Sequence, residues 1–295
     1  MKNHREKLKI LCLTNMISPY RIPLFNYFYV RDDFKLEVIV LIEREENREW
    51  KFDKEKIKFN YQILKGYHWF IRNKRREIVI HLNKGILRKF LGYKPDIVIT
   101  SGYDSLAYWQ AFLYCKIFKK KFILWNGTTL LSVGSTRGIR GLLKRIIFRG
   151  ADGYIAYGTK AREYLEYLGA KANKIHVSTN TVDVIHLQNK VMGYRNGESF
   201  IKERELHPKY LLLYVGQLIR RKGIIQVLKA LNILEDPEIG LLVVGSGPEE
   251  TNLKAFCKEN KLQKVFFEGF QQQEMLPKYY ALADIFILPS FEEVW

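Results

Sequence analysis

Residues 211–223, Leu-Leu-Leu-Tyr-Val-Gly-Gln-Leu-Ile-Arg-Arg-Lys-Gly, constrain this chain more than any other stretch. An apolar run stops at Gly216, a polar and basic turn comes next, and Gly223 opens a segment whose apolar residues Ile224, Val227, Leu228 and Leu231 recur at helical spacing. The order is strand, loop, helix. A buried strand running through a glycine loop into a helix gathers backbone N–H groups and the positive end of the helix dipole around one point, where an anion binds. Arg220, Arg221 and Lys222 add cations, so a phosphate fits. Taken alone, the stretch fits an ordinary turn with solvated side chains equally well.

Three more strand-like runs toward the C-terminus narrow the choice. A second apolar run, 241–244, ends in the loop Gly245-Ser-Gly247-Pro248, with Pro248 and Glu249 suited to a helix start. Residues 266–270 close a third short strand on Gly269, and 285–290 read as a fourth. In a doubly wound parallel sheet the loops after such strands share one edge, and ligands bind there. The fold class expected is therefore α/β, with two Rossmann-like, doubly wound domains: a first over 1–186, a polar linker over 187–208 and a second over 209–295.

The series Val-Gly-Gln-Leu-x-x-x-Lys-Gly, Val-Gly-Ser-Gly-Pro, Phe-x-Gly, Tyr-Tyr-x-x-Ala-Asp and Leu-Pro-Ser-x-x-Glu resembles the nucleotide-sugar half of the retaining glycosyltransferases of family 4, which have the GT-B architecture. The order and spacing of five motifs carry the resemblance. It implies that Lys222 contacts the donor diphosphate, that Gly216 lets the diphosphate approach the backbone, and that Gly245 and Gly247 belong to the donor loop. It further implies that Glu268 and Gly269 sit beside the nucleobase, and that Ser290 and Glu293 come from the acidic motif. Many members have arginine where this chain has Gln217, so Arg220 or Arg221 is the expected second phosphate cation. The second acid of the motif falls at position 301, beyond Trp295, and on the resemblance the second domain reads as incomplete.

The same resemblance reaches the first half. Ser18-Pro-Tyr-Arg-Ile-Pro-Leu-Phe25 is similar to the acceptor-side loop, which makes Tyr20 and Arg21 acceptor candidates, although structural capping accounts for Arg21 as well. Many relatives carry a donor-contacting histidine near residue 126. Here Asn126 or Thr128 is the available substitute. Asn180 belongs to an Asn-x-Val-Asp that resembles the end of the first domain at the donor site, while a plain turn explains it too.

Charge is unevenly spread. The net charge is +18, yet from Glu235 onward acids outnumber bases 11 to 5, so the preceding residues carry +24. A surface this basic suits an anionic membrane or nucleic acid. Residues 137–149 alternate cations with Ile139, Leu142, Leu143, Ile146 and Ile147 at helical spacing, as an interfacial helix would, and 82–91 has a similar mixture. Both also read as surface helices packed on their own sheet. No run reaches the ~18 apolar residues of a spanning helix, and the N-terminus lacks the apolar core of a secretory leader, so a cytoplasmic enzyme, peripheral on the membrane, is expected. Three separated cysteines, Cys12, Cys115 and Cys257, suit buried thiols in a reducing compartment.

Other chemistries lack their residues. The six histidines have no metal-ligand spacing, no Asp-x-Asp occurs, and neither a P-loop nor a Gly-x-Ser-x-Gly elbow is present. The resemblance implies transfer of a sugar from a nucleotide-diphosphate donor to a glycan or lipid-linked acceptor with retention, in bacterial surface-polysaccharide assembly and without a bound metal or cofactor. Two alternatives stand beside it: a nucleotide-sugar epimerase of the same shape, or a non-catalytic remnant that binds membrane or nucleic acid.

Overall fold

The structure is a computed structural model that describes residues 7–45, 48–51, 53–73, 76–131, 138–197, 203–205 and 208–293, without the side chains of 70–73, 76–78 and 138–140. The segment 137–149, read above as an interfacial or surface helix, thus lies partly outside the described residues. Contact density divides the chain into two units, with the boundary after Val182 and Glu49–Lys51 grouped with the second.

The first unit is a seven-stranded parallel sheet. Its strands are β1 (Leu8–Thr14), β2 (Phe34–Val40), β3 (Asn60–Ile63), β6 (Ile97–Thr100), β7 (Lys121–Asn126), β8 (Gly153–Ala156) and β9 (Ile175–Val177), in the order β3-β2-β1-β6-β7-β8-β9. The chain winds outward from β1 in one direction and returns to β6 in the other, which makes the β1/β6 boundary the topological switch point. Helices α1 (Ile22–Tyr29), α2 (Ile86–Tyr93), α3 (Leu106–Ile117), α4 (Gly138–Gly150) and α5 (Thr159–Tyr167) connect the strands. Leu11, Leu13, Val98, Phe122 and Tyr154 are enclosed with Tyr108, Ala111 and Cys115 of α3. Burial of both faces, as in the consecutive buried residues Leu11–Thr14 of β1, makes the central strands read as near-continuous apolar runs.

Residues 77–80 read from the sequence as a short strand with the basic stretch 72–76 ahead of it; in the structure they belong to an antiparallel hairpin, β4 (Gly66–Asn73) with β5 (Arg76–Asn83), which forms a sheet of its own. The amphipathic segment expected over 82–91 is accordingly split between the end of β5 and α2.

The second unit holds a four-stranded parallel sheet in the order β12-β11-β10-β13: β10 (Tyr210–Val215), β11 (Ile239–Val244), β12 (Val265–Gly269) and β13 (Ile285–Phe286). Alternate residues face opposite layers. Tyr214, Leu241 and Val243 pack under α7 (Ile224–Leu234) and α8 (Glu250–Glu259), while Leu211, Leu213, Leu242 and Val244 pack on α9 (Leu276–Leu282). The expected strand over 285–290 keeps only two residues. Asp284 locks its start, since its carboxylate accepts from the Leu211 N–H at 2.7 Å and from Arg204 at 2.8 Å. The expected linker starts inside a helix: α6 (Val184–Arg195), N-capped by Asp183, docks on α9, where Arg195 Nε donates to the Ala281 carbonyl at 3.2 Å.

Candidate functional site

In the second unit the strand ends converge as the motifs suggest. The chain leaves β10 at Gly216, whose N–H donates to the Val244 carbonyl at 2.9 Å; Leu218 N–H donates to the Ser246 carbonyl at 2.8 Å, and Gly245 N–H to the Gly269 carbonyl at 2.7 Å. Tyr214 Oη donates to the Gln217 carbonyl at 2.8 Å, which fixes the start of the basic turn. The loops are braided so closely that a Cβ on Gly245, at φ 141°, would lie 1.9 Å from the Gly216 carbonyl oxygen. Loop-on-loop packing therefore demands glycine at 245 before any ligand is considered.

Arg220–Lys222 form one 3-10 turn, closed by Gly223 in the left-handed region at φ 68°, and Gly223 is at once the N-cap of α7. A Cβ there would meet the Pro289 carbonyl oxygen at 2.2 Å. The turn is knitted to the segment after β13: Phe291 N–H donates to the Arg221 carbonyl at 2.9 Å and Arg221 Nη1 to the Glu292 carbonyl at 3.3 Å. Lys222 Nζ donates to Glu293 Oε1 in a partly buried ion pair. Burial pushes the Glu293 carboxyl upward, but the hydrogen bond and charge of Lys222, with Arg221 behind it, outweigh burial and hold it below the ordinary glutamate value. The ammonium has three protons, so the pair with Glu293 aims the side chain and leaves donors for an anion.

The other residues expected on the donor side lie as follows. Glu268 ends β12 beside Gly269 and accepts a hydrogen bond from Tyr279 Oη at 3.2 Å. Burial first, and Glu268 second, push the Tyr279 hydroxyl up to about 12. Ser290 lies in the turn between β13 and Glu293, and its buried hydroxyl adds to the downward pull on the Glu293 carboxyl. Asn180 comes after β9 in the first unit.

The first unit assembles its candidates at the carboxyl ends of β1, β7 and β8. Tyr20 and Arg21 lie in a 3-10 turn directly after β1. The Arg21 guanidinium lies 4.4 Å from the Trp125 ring centroid, 6.0 Å from those of Tyr20 and Tyr157, and donates to Tyr157 Oη. Arg21 is buried, and among the described residues it has no carboxylate partner. Its Nε–H and the Trp125 Nε1–H are both buried without an acceptor. Asn126, the last residue of β7, donates from Nδ2 to the Thr128 carbonyl at 3.3 Å. The structure thus brings Tyr20, Arg21, Asn126 and Thr128 to one sheet edge and adds Trp125 and Tyr157, which the sequence reading missed. An aromatic residue at each of two neighbouring strand ends was the available signal.

A second group sits at the β1/β6 switch point. Asn15 Nδ2 donates to Glu45 Oε1, the His81 Nε2 lies 3.7 Å from the same oxygen, and the His81 and His68 Nδ1 atoms are 2.9 Å apart. Burial raises the Glu45 carboxyl, while hydrogen bonds from His81 and Asn15 pull it further down, below its ordinary value. Ser101 Oγ donates to Thr14 Oγ1 at 3.0 Å alongside. These groups match a hydroxyl-bearing ligand. Among the described residues, no cluster of His, Cys, Asp and Glu is arranged to hold a metal, and no helix is long and apolar enough to cross a membrane.

Comparison with known proteins agrees with this geometry. Residues 196–295 match the family described as glycosyl transferases group 1. An uncharacterized glycosyltransferase of Methanocaldococcus jannaschii is 35% identical over 85 residues, which cover 28% of this chain and 22% of that protein. The amylovoran biosynthesis glycosyltransferase AmsK of Erwinia amylovora is 30% identical over 127 residues, 42% of this chain and 28% of AmsK. The matches thus span less than a third of either curated relative. The solved structure of Anabaena HepE in complex with UDP and glucose is similar with a TM-score of 0.68 at 17% identity, over 96% of this chain and 74% of that one. At that identity the likeness shows the fold, which is the GT-B fold with its Rossmann-like domains.

Proposed function

We propose that this protein transfers a sugar from a nucleotide-diphosphate donor held by the second unit to a hydroxyl of a glycan or lipid-linked acceptor held by the first, with retention at the anomeric carbon. One observation carries the reading: the Arg220–Lys222 turn stands at the carboxyl edge of the second sheet, at its β10/β13 switch point, capping α7 and aimed by Glu293. The group 1 match over the same residues and the UDP in the HepE structure support a nucleotide-sugar donor.

The barrier lies in breaking the anomeric carbon–phosphate oxygen bond, as positive charge builds on the sugar and negative charge on the departing diphosphate. Lys222, with Arg221 and Arg220 on the same turn and the first N–H groups of α7, meets that negative charge. The acceptor oxygen bonds to the anomeric carbon, and its proton leaves with the nucleoside diphosphate. Gly216, Gln217, Gly245 and Gly247 shape the floor, and Glu268, Gly269 and Ser290 complete the donor side of the second unit. Arg21, a buried cation with orphaned donors beside it, takes an acceptor oxygen, preferably an anionic one. The likeness to AmsK, an amylovoran biosynthesis glycosyltransferase, supports a setting in bacterial polysaccharide synthesis. A peripheral position on the cytoplasmic face of a membrane belongs to the same proposal and rests on the basic charge of the first domain.

A panel of UDP-, GDP- and ADP-sugars, screened by thermal shift and then for nucleotide release, tests the reading. Stabilisation by one donor and acceptor-dependent release are expected. Conversion of free donor without transfer would establish an epimerase in its place, and oligonucleotide capture with no donor effect would establish a nucleic-acid binder.

A further inference from the structure

The β4–β5 hairpin has two faces with opposite fates. Tyr67 pairs with Leu82, His68 with His81 and Trp69 with Ile80. Strand side chains alternate, so the two histidines share the inner face. There His81 is buried against Glu45, and its carbonyl accepts from Ser105 Oγ at the head of α3 at 3.3 Å. Tyr67, Trp69, Ile80 and Leu82 share the outer face and are 60%, 49%, 43% and 39% exposed. A two-stranded sheet in water ordinarily turns its apolar face inward. Here the apolar face is the one left bare, and such a surface marks a docking site.

Charge around the face selects the partner. Between Lys65 and Lys94 every charge except that of Glu77 is positive. Lys65, Lys84, Arg88 and Lys89 are exposed, and Lys84 Nζ lies 5.5 Å from the Tyr67 ring centroid. The apolar surface continues into α2, where Leu87 and Leu91 stand one helical turn apart and exposed beside Arg88 and Lys89. Tyrosine and tryptophan suit the headgroup level of a bilayer, leucine and isoleucine the acyl boundary below it, and a rim of lysine and arginine suits anionic lipid phosphates. Nucleic acid would satisfy the cations and rings but leave Ile80, Leu82, Leu87 and Leu91 in water.

We propose that the outer face of the β4–β5 hairpin, with the exposed side of α2, is the surface on which this protein docks to an anionic lipid bilayer. It rests on the sugar-transfer reading only for its purpose, which is to bring a lipid-linked acceptor to the enzyme. Vesicle binding is measured without donor or acceptor, so the two ideas fail separately.

The test is co-sedimentation with vesicles of phosphatidylcholine alone or with about one-third phosphatidylglycerol. Binding to the anionic vesicles only is expected. The pair Tyr67→Ser/Trp69→Ser and the pair Lys84→Glu/Lys89→Glu should each lower the partition coefficient about tenfold. Leu142→Ser/Leu143→Ser on α4 should leave it unchanged. Trp69→Phe should keep binding yet lose most of the fluorescence quenching caused by brominated lipid, a readout that does not depend on a disruptive variant. Unchanged binding in both hairpin pairs, loss confined to the α4 pair, or displacement of vesicles by oligonucleotide with Trp69 unquenched would overturn the proposal.

Discussion

Replacing Gly245 by alanine tests whether the braided loops hold the donor site together. The new Cβ would lie 1.9 Å from the Gly216 carbonyl oxygen and 2.9 Å from its carbon, at a φ of 141° that side-chain-bearing residues rarely adopt. An ordinary contact needs more than 3 Å, so the loops after β10 and β11 must part by over an ångström. That separation strains three hydrogen bonds: Gly216 to Val244, Leu218 to Ser246 and Gly245 to Gly269. Backbone strain of about 1–2 kcal/mol and about 1 kcal/mol for each weakened bond give a loss of about 4–5 kcal/mol. Urea unfolding monitored by far-ultraviolet circular dichroism measures it. Gly193→Ala is the control, because a Cβ there meets nothing within 4 Å inside α6 and should stabilise by about 0.5–1 kcal/mol. A Gly245→Ala loss below about 1 kcal/mol would refute the braiding argument.

Three further outcomes are expected. Lys222→Ala should lower transfer about a hundredfold or more while the melting temperature moves little, and Lys222→Arg should restore part of the rate; wild-type turnover in the alanine variant would remove Lys222 from the chemistry. Arg21→Lys keeps the charge but loses the flat stack on Trp125 and the bond to Tyr157, so a loss of about 1–2 kcal/mol in acceptor affinity is expected from isothermal titration, with donor affinity unchanged. The Glu293 carboxyl titrates below its ordinary value of 4.5 in the fold, so its contribution is complete above that value and disappears as pH falls through the lower folded pKa. Glu293→Gln should therefore flatten the acid limb of stability against pH, and an unaltered limb would show that the pair contributes nothing.

Legibility in the sequence tracks burial. Strands β1, β6, β7, β10 and β11 are covered by neighbours, and a continuous apolar run such as 211–215 announces them. The hairpin was only half legible: 77–80 reads as a short strand, whereas Tyr67-His-Trp-Phe-Ile-Arg-Asn73 has no clean alternation of apolar and polar residues to announce its partner. Both Lys222 and Glu293 were legible as motif residues, while their pairing across 71 positions was not. The contacts among Asn15, Glu45, His68 and His81 come from four separate elements, and only the fold brings them together. Arg21 was legible, but its aromatic cage was not, because Trp125 and Tyr157 look like ordinary strand-end packing residues.

The central claim is sugar transfer with retention, and its most direct measurement is time-resolved proton NMR of the protein with a donor selected by thermal shift and a glycan or lipid-linked acceptor. The account predicts that nucleoside diphosphate and glycoside appear together, with the glycoside's first anomeric proton showing the donor's configuration, and that both signals vanish in Lys222→Ala. A product of opposite configuration, or donor that changes its sugar without any transfer, would contradict it.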